Sequence, residues 1–168
     1  GYMTIKERVN DKELARLGYG YGITVSPFQI ASAYSVFANE GILKDFKLLK
    51  NQEVTSKQII SSDTANHILD ALRMVVKDGT GKAANINGFS AGGKTGTVHQ
   101  IKRGSGYAED SYRASFIGIA PLNTKSLTIF VSIDEPGLNS YSGGTVAAPV
   151  FAKVAESSLN YLGYFQDE

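Results

Sequence analysis

The sequence predicts an α+β fold in which antiparallel strands are flanked by helices. Three observations carry that prediction. Capped amphipathic segments occur at three places, stretches rich in β-branched and aromatic residues lie between the second and third, and the links joining those stretches are too short for a crossover. The order is helix, helix, three strands, helix.

The first helix starts at Ser26-Pro27-Phe28-Gln29. The serine caps the N3 amide, the glutamine at N3 bonds back, and proline suits the first turn. Ile30, Ala33, Tyr34 and Phe37 then follow at i, i+3, i+4 and i+7, and Gly41 supplies the stop. A second helix begins near Ser61-Ser62-Asp63, carries Ile68, Leu72, Val75 and Val76, and ends before Gly79. Strands are predicted over 94–101 and 112–120. In a third, Leu127, Ile129, Val131 and Ile133 alternate with Thr128, Ser132 and Asp134, although Phe130 interrupts the polar face. The segment Gly104 to Asp110 reads as the first hairpin loop and Asn123-Thr124-Lys125 as the second link. The last helix begins near Pro149 and runs through Phe151, Val154, Ala155 and Leu162 to Gly163.

With 168 residues, the chain is one ordinary domain or a piece of one. Its 17 lysines and arginines nearly balance 16 acids, a net charge of +1 that argues against a nucleic-acid partner. At 42% hydrophobic and 20% charged residues, wholesale disorder is excluded. There is no cysteine, which rules out disulfide scaffolds, thiolate zinc sites and a cysteine nucleophile. His67 and His99 are too few for an imidazole-rich metal site, and no metal or organic cofactor is expected. Apolar runs such as 127–131 fall far below the roughly 18 to 20 residues that span a bilayer. The opening GYMTIKERVN lacks the apolar core of a signal peptide, and no repeat, heptad or low-complexity linker is present.

One motif points two ways. Gly88-Phe89-Ser90-Ala91-Gly92-Gly93-Lys94-Thr95 satisfies the phosphate-loop pattern, and the apolar run ending in Asp134-Glu135 imitates a magnesium-holding acid. A phosphate loop, however, must follow a buried strand and open a helix, whose N-terminal amides hold the phosphates. Here Lys82-Ala83-Ala84-Asn85-Ile86-Asn87 precede and Gly96-Thr97-Val98-His99 follow, neither of which fits. An NTPase is therefore the weaker reading.

The same residues read better as a Lys94-Thr95-Gly96 triad on a strand, the third element of the S-x-x-K, S-D-N, K-T-G set of penicillin-interacting serine enzymes. An ammonium on a strand edge attracts a substrate carboxylate and supports proton traffic at a nucleophile. Thr95 and Thr97 alternate with Gly96, so both hydroxyls point to one face and can bond that carboxylate. Gly96 lets a peptide or lactam lie close to the backbone, and the Thr97 amide can donate to an oxyanion. The plain alternative is an exposed strand lysine among threonines that favour sheets.

Much of the chain resembles the C-terminal half of a penicillin-binding protein transpeptidase domain. The resembling segments are Gly20-Tyr21-Gly22-Ile23 leading into TVSPFQIASAYSVFANEG, then LRMVVKDGTGKAA, GGKTGT, SFIGIAP and SGGTVAAPVF, together covering about 18–162. The SIDEP and YSGGTVAAPVF ending resembles the monofunctional, division-type class. The resemblance implies a partial penicillin-binding/serine β-lactamase-like fold with its first strands missing. It implies a helical portion over about 18–80, strands over about 91–135 and a final helix over about 147–162. It further implies serine acyl transfer on D-alanyl-D-alanine stem peptides of peptidoglycan, acylation by β-lactams, and a cell-wall location with a membrane tether outside this chain. Lys94 and Thr97 are then the catalytic candidates, with Thr95, Gly96, Thr97 and Tyr141 binding substrate.

Two of the family's motifs are not found. No serine is followed three residues later by lysine, and S-x-N occurs only as Ser158-Leu159-Asn160, which reads as ordinary helix surface. The expectation is a fragment that supplies the KTG strand, is inactive alone, and pairs with the upstream half of its own domain. The alternatives are a serine β-lactamase or β-lactam sensor of the same fold, and a module that holds stem peptides without turnover.

Other candidates have plainer explanations. The loop Tyr141-Ser142-Gly143-Gly144 borders the cleft in the family, or is simply a glycine turn with a surface tyrosine. His99 shares the face of Thr97, or is an exposed strand histidine. Lys102-Arg103 and Glu109-Asp110 read as solvated loop, His67 as structural, and Asp134-Glu135-Pro136 as turn chemistry.

Overall fold

A computed structural model describes residues 2–3, 9–18, 20, 22–102, 106–123, 125–137 and 140–167, with the backbone alone at 2–3, 101–102 and 106–110. Along the chain run β1 (Tyr2–Met3), α1 (Asp11–Gly18), β2 (Ile23–Thr24), α2 (Pro27–Ala38), β3 (Ile42–Lys44), β4 (Ser56–Gln58) and α3 (Ser62–Lys77). A 3-10 turn (Lys82–Ala84), β5 (Gly92–Lys102), β6 (Gly106–Ala120), β7 (Leu127–Asp134), a π-turn (Gly143–Ala147) and α4 (Ala148–Tyr161) follow.

The caps form as the sequence predicts. Ser26 Oγ accepts from the Gln29 N–H at 3.2 Å while Gln29 Oε1 accepts from the Ser26 N–H at 3.0 Å. Ser61 caps α3 by accepting from the Thr64 N–H at 3.1 Å. Past α2, Gly41 takes a φ of +84°, the left-handed conformation that ends a helix cheaply only without a Cβ.

β5, β6 and β7 form one antiparallel sheet in that order. Thr95 pairs with Phe116, Gly96 with Ser115, Thr97 with Ala114 and His99 with Tyr112, and the register shifts between His99 and Ile101. The first hairpin is tighter than expected. Residues 106–110 are strand, with Lys102 opposite Gly106, so the loop assigned to Gly104–Asp110 shrinks to a segment that includes 103–105, outside the described residues.

Helices cover both faces of the sheet. On one, Phe116 meets Phe151 of α4 with ring centroids 5.0 Å apart, amid Ile86, Phe89, Ala120, Ala155 and Leu159. On the other, α2 packs on β6 and β7 and α3 on β5, burying Val36 and Leu72. α4 is longer-rooted than predicted, because the π-turn leads into it from Gly143, with Ser142 Oγ accepting from the Thr145 N–H at 3.2 Å. Of the apolar positions named for it, Phe151 and Ala155 are buried, whereas Val154 and Leu162 are exposed.

Beyond α4 the tail turns back. The Asp167 carboxylate accepts from the Ser90 N–H at 2.7 Å and from the Ser90 hydroxyl at 2.5 Å, and the Leu122 N–H donates to Ser90 Oγ at 2.8 Å. Asp167 returns its own N–H to Gly88 O at 2.9 Å. This latch fastens the residues entering β5 to the turn after β6. Among the described residues, no helix is long and apolar enough to cross a membrane.

Candidate functional site

The two glycines that start β5 are packing glycines. A Cβ on Gly92 would come within 3.0 Å of the Arg73 N in α3, and one on Gly93 would press into the Phe116 ring. The strand therefore lies tight between α3 and the core, and Lys94 emerges from it exposed, its Nζ donating to Thr95 O at 2.9 Å. No helix opens at Gly93-Lys94, so the phosphate-loop pattern lacks the amide cluster that phosphate binding needs. Asp134, the acid of that pattern, has a cationic partner. It pairs with Arg113, and the hydrogen bond from that guanidinium holds its carboxyl below the usual range while raising the arginine in turn. Among the described residues no three of His, Cys, Asp and Glu gather as a metal site would require.

The residues singled out from the sequence converge beside one loop. Thr97 is exposed, and its Oγ1 accepts from the Gly143 N–H at 3.1 Å. That bond occupies a lone pair and leaves the hydroxyl hydrogen of Thr97 to donate elsewhere. Thr95 is half-buried and its Oγ1 lies 2.9 Å from Thr80 Oγ1. At Gly96 a Cβ would crowd Ser115 Oγ, which donates to Gly96 O at 3.4 Å. A side chain on Gly143 would drive into the carbonyl oxygens of Ser115 and Gly96, and one on Gly144 into that of Thr80. The loop thus lies against β5 more closely than any other residue type would permit.

Tyr141, half-exposed, stacks on Tyr112 with centroids 4.2 Å apart at 18°, and Tyr112 stacks on His99 at 4.8 Å and 15°. Three flat rings therefore continue the face of Thr97 and join the loop to the sheet. Sequence reasoning named His99 and Tyr141 but missed Tyr112, which lies opposite His99 in the register. It also missed Thr80 and Ser115, whose only signal is their position across from the triad in the folded chain.

Other candidates lie elsewhere. His67 is exposed on α3, 3.6 Å from Asp63, rather than structural. Ser158-Leu159-Asn160 belongs to α4 with Leu159 buried, as helix. The side chains of Lys102, Arg103, Glu109 and Asp110 lie outside the described residues. At the far edge of the sheet, β7 and α4 enclose an open apolar groove of about 460 Å³ lined by Leu127, Ile129, Val154, Tyr161 and Leu162.

Comparison with known proteins shows the family of the chain. The family described as "Penicillin binding protein transpeptidase domain" matches residues 1–156. Stage V sporulation protein D of Bacillus subtilis is 39% identical over 170 residues, covering 94% of this chain and 26% of that protein. A probable peptidoglycan D,D-transpeptidase of Pseudomonas aeruginosa, PbpC, is 37% identical over 164 residues, covering 96% of this chain and 29% of that protein. The chain thus spans about a quarter of the length of these relatives. The transpeptidase domain of Burkholderia pseudomallei penicillin-binding protein 3 superposes with a TM-score of 0.85 at 36% identity, covering 96% of this chain and 50% of that one. The glycines that seat β5, the Lys94–Thr97 edge and the loop folded onto it belong to a chain of the penicillin-binding protein transpeptidase domain family.

Proposed function

We infer that this chain is the C-terminal part of the catalytic domain of a peptidoglycan D,D-transpeptidase of the division type, and that its β5 edge binds the D-alanyl-D-alanine end of a stem peptide. The observation that carries this reading is the exposed Lys94–Thr97 edge beside the Tyr141–Gly144 loop, in a chain of that family. Its Lys94 ammonium attracts the terminal carboxylate, and the Thr97 hydroxyl, with its acceptor side occupied by Gly143, donates to it. Gly96 lets the peptide lie against the strand while the ring of Tyr141 walls the cleft. The nucleophile is a serine supplied by the upstream half of the domain. Its oxygen attacks the penultimate D-alanine carbonyl, the Thr97 N–H helps hold the oxyanion, and the amide nitrogen leaves with a proton as D-alanine. An amine of a neighbouring stem peptide then takes the acyl group and the serine regains its proton. A β-lactam reacts at the same serine by ring opening and stays attached.

The groove between β7 and α4 is the seat of that upstream half. Its exposed Leu162 and Val154 and the unpaired β7 edge suit a further strand and its apolar cover. In the cell the assembled domain works on the cell-wall side of the membrane, tethered by a segment outside this chain.

Intact-mass spectrometry of this chain and its upstream half, incubated together with benzylpenicillin, tests the reading. The expected result is a penicilloyl adduct on the upstream polypeptide and none on this chain. An adduct on this chain, or on neither, would overturn it. Steady release of penicilloate instead of a lasting adduct would assign a β-lactamase.

A further inference from the structure

Thr80 lies in the turn that leaves α3, outside the triad and the loop, yet it touches both. Its Oγ1 is 2.9 Å from Thr95 Oγ1, and its carbonyl oxygen occupies the space a side chain at Gly144 would need. A Cβ at Gly144 would also meet Thr95 Cγ2 at 3.6 Å, so Thr80, Thr95 and Gly144 are one contact cluster. The neighbouring Gly143 sits against Gly96 and donates its N–H to Thr97 Oγ1 at 3.1 Å. A threonine hydroxyl has one hydrogen and two lone pairs, and which way the hydrogen points depends on what occupies the lone pairs. With the Gly143 N–H on one lone pair, the Thr97 hydrogen turns away from that bond and can be donated to a ligand.

We propose that Thr80 is a positioning residue that sets Thr97 as a hydrogen-bond donor to the ligand carboxylate. Its hydroxyl does so at one remove, by bracing Thr95, whose Cγ2 backs Gly144 and so keeps the Gly143 N–H on Thr97. The role rests on the carboxylate-binding function inferred for the β5 edge. It predicts selectivity for anionic over neutral ligands rather than reactivity as such. Without the Thr80 hydroxyl, Thr95 loses its partner, its Cγ2 no longer backs Gly144 as firmly, and the Gly143 N–H is held less well on Thr97. Binding of a carboxylate then suffers, whereas attack on a ligand that has no carboxylate does not.

The test compares acylation of the assembled domain by benzylpenicillin and by its methyl ester, which keeps the reactive lactam and removes the anion. Thr80→Val keeps the shape of the side chain and deletes the hydroxyl, whereas Thr80→Ser keeps the hydroxyl. The expected result is that Thr80→Val slows acylation by the acid about tenfold, the lower end for one charge-assisted hydrogen bond, and leaves the ester rate unchanged. Thr80→Ser restores the preference for the acid, and the ester rate of each variant reports that it has folded. Equal slowing of acid and ester, or no slowing of either, overturns the proposal while the wild-type domain is still acylated. A wild-type domain that neither compound acylates overturns the transpeptidase reading and the role of Thr80 with it.

Discussion

β5 and β7 are the two edges of one sheet, and they are built for different neighbours. The outer reach of β5 is small and polar, with Gly96 between two threonines, an exposed lysine, and a glycine loop laid over its face. β7 is apolar along one side, where Leu127, Ile129, Val131 and Ile133 are only half covered and the first two line a groove under α4. Hydroxyls and a bare backbone offer directional bonds to a small polar ligand, whereas an apolar edge gains mainly from removing area from water. A strand edge therefore announces the kind of partner it expects through side-chain chemistry alone, since the backbone groups are the same on both.

The contrast can be broken from the centre. Phe151 packs against Phe116 of the middle strand, which supports both edges. Phe151→Ala should cost about 3–5 kcal/mol in chemical denaturation and degrade acylation and assembly together. Loss of one function with the other intact would show that the edges do not share this support. A smaller change sharpens it: Ile129→Lys places a charge in the β7 groove, and should weaken association with the upstream half by roughly 2 kcal/mol while reducing self-association of the isolated chain. Unchanged affinity in a titration calorimeter would move the docking surface elsewhere. The least effect is expected at the polar end of β7, where Arg113 holds Asp134 ionised across the strands at 3.2 Å through its Nη2. A carboxyl held low stabilises above its unfolded value, near pH 3.9, and loses that contribution as pH falls through its folded value. Both partners are exposed, so Arg113→Gln should scarcely alter stability at neutral pH and should slightly flatten the acid decline, read from melting temperatures between pH 3 and 7.

Local chemistry made much of the fold legible beforehand. Ser26 and Gln29 announce their helix because the capping box is complete within four residues, and β7 shows its period because one face is apolar. α1 escaped because it is only eight residues long, with Leu14, Ala15 and Leu17 as its apolar residues and none of them buried. β4 escaped because Ser56-Lys57-Gln58 is polar and exposed throughout, its pairing with β3 being a matter of backbone alone. The start of β6 was hidden by its glycine and acidic residues, which imitate a loop. At the site, the triad and the loop could each be read locally, but their joining could not. Thr80 meets Thr95 across 15 residues and Gly143 meets Thr97 across 46, and neither bond leaves a trace in spacing or composition.

The latch between Ser90 and Asp167 sets an order of events during synthesis. The entrance to β5 is made 77 residues before the carboxylate that fastens it. At roughly 5–20 residues per second, a ribosome delivers that anchor some 4 to 15 seconds after the strand entrance. During that interval the triad is already translated, yet the start of its strand has no carboxylate to hold it. A chain released before α4 and its tail are complete would carry Lys94 to Thr97 and the loop that lies on them, and still lack the fastening at the base of β5.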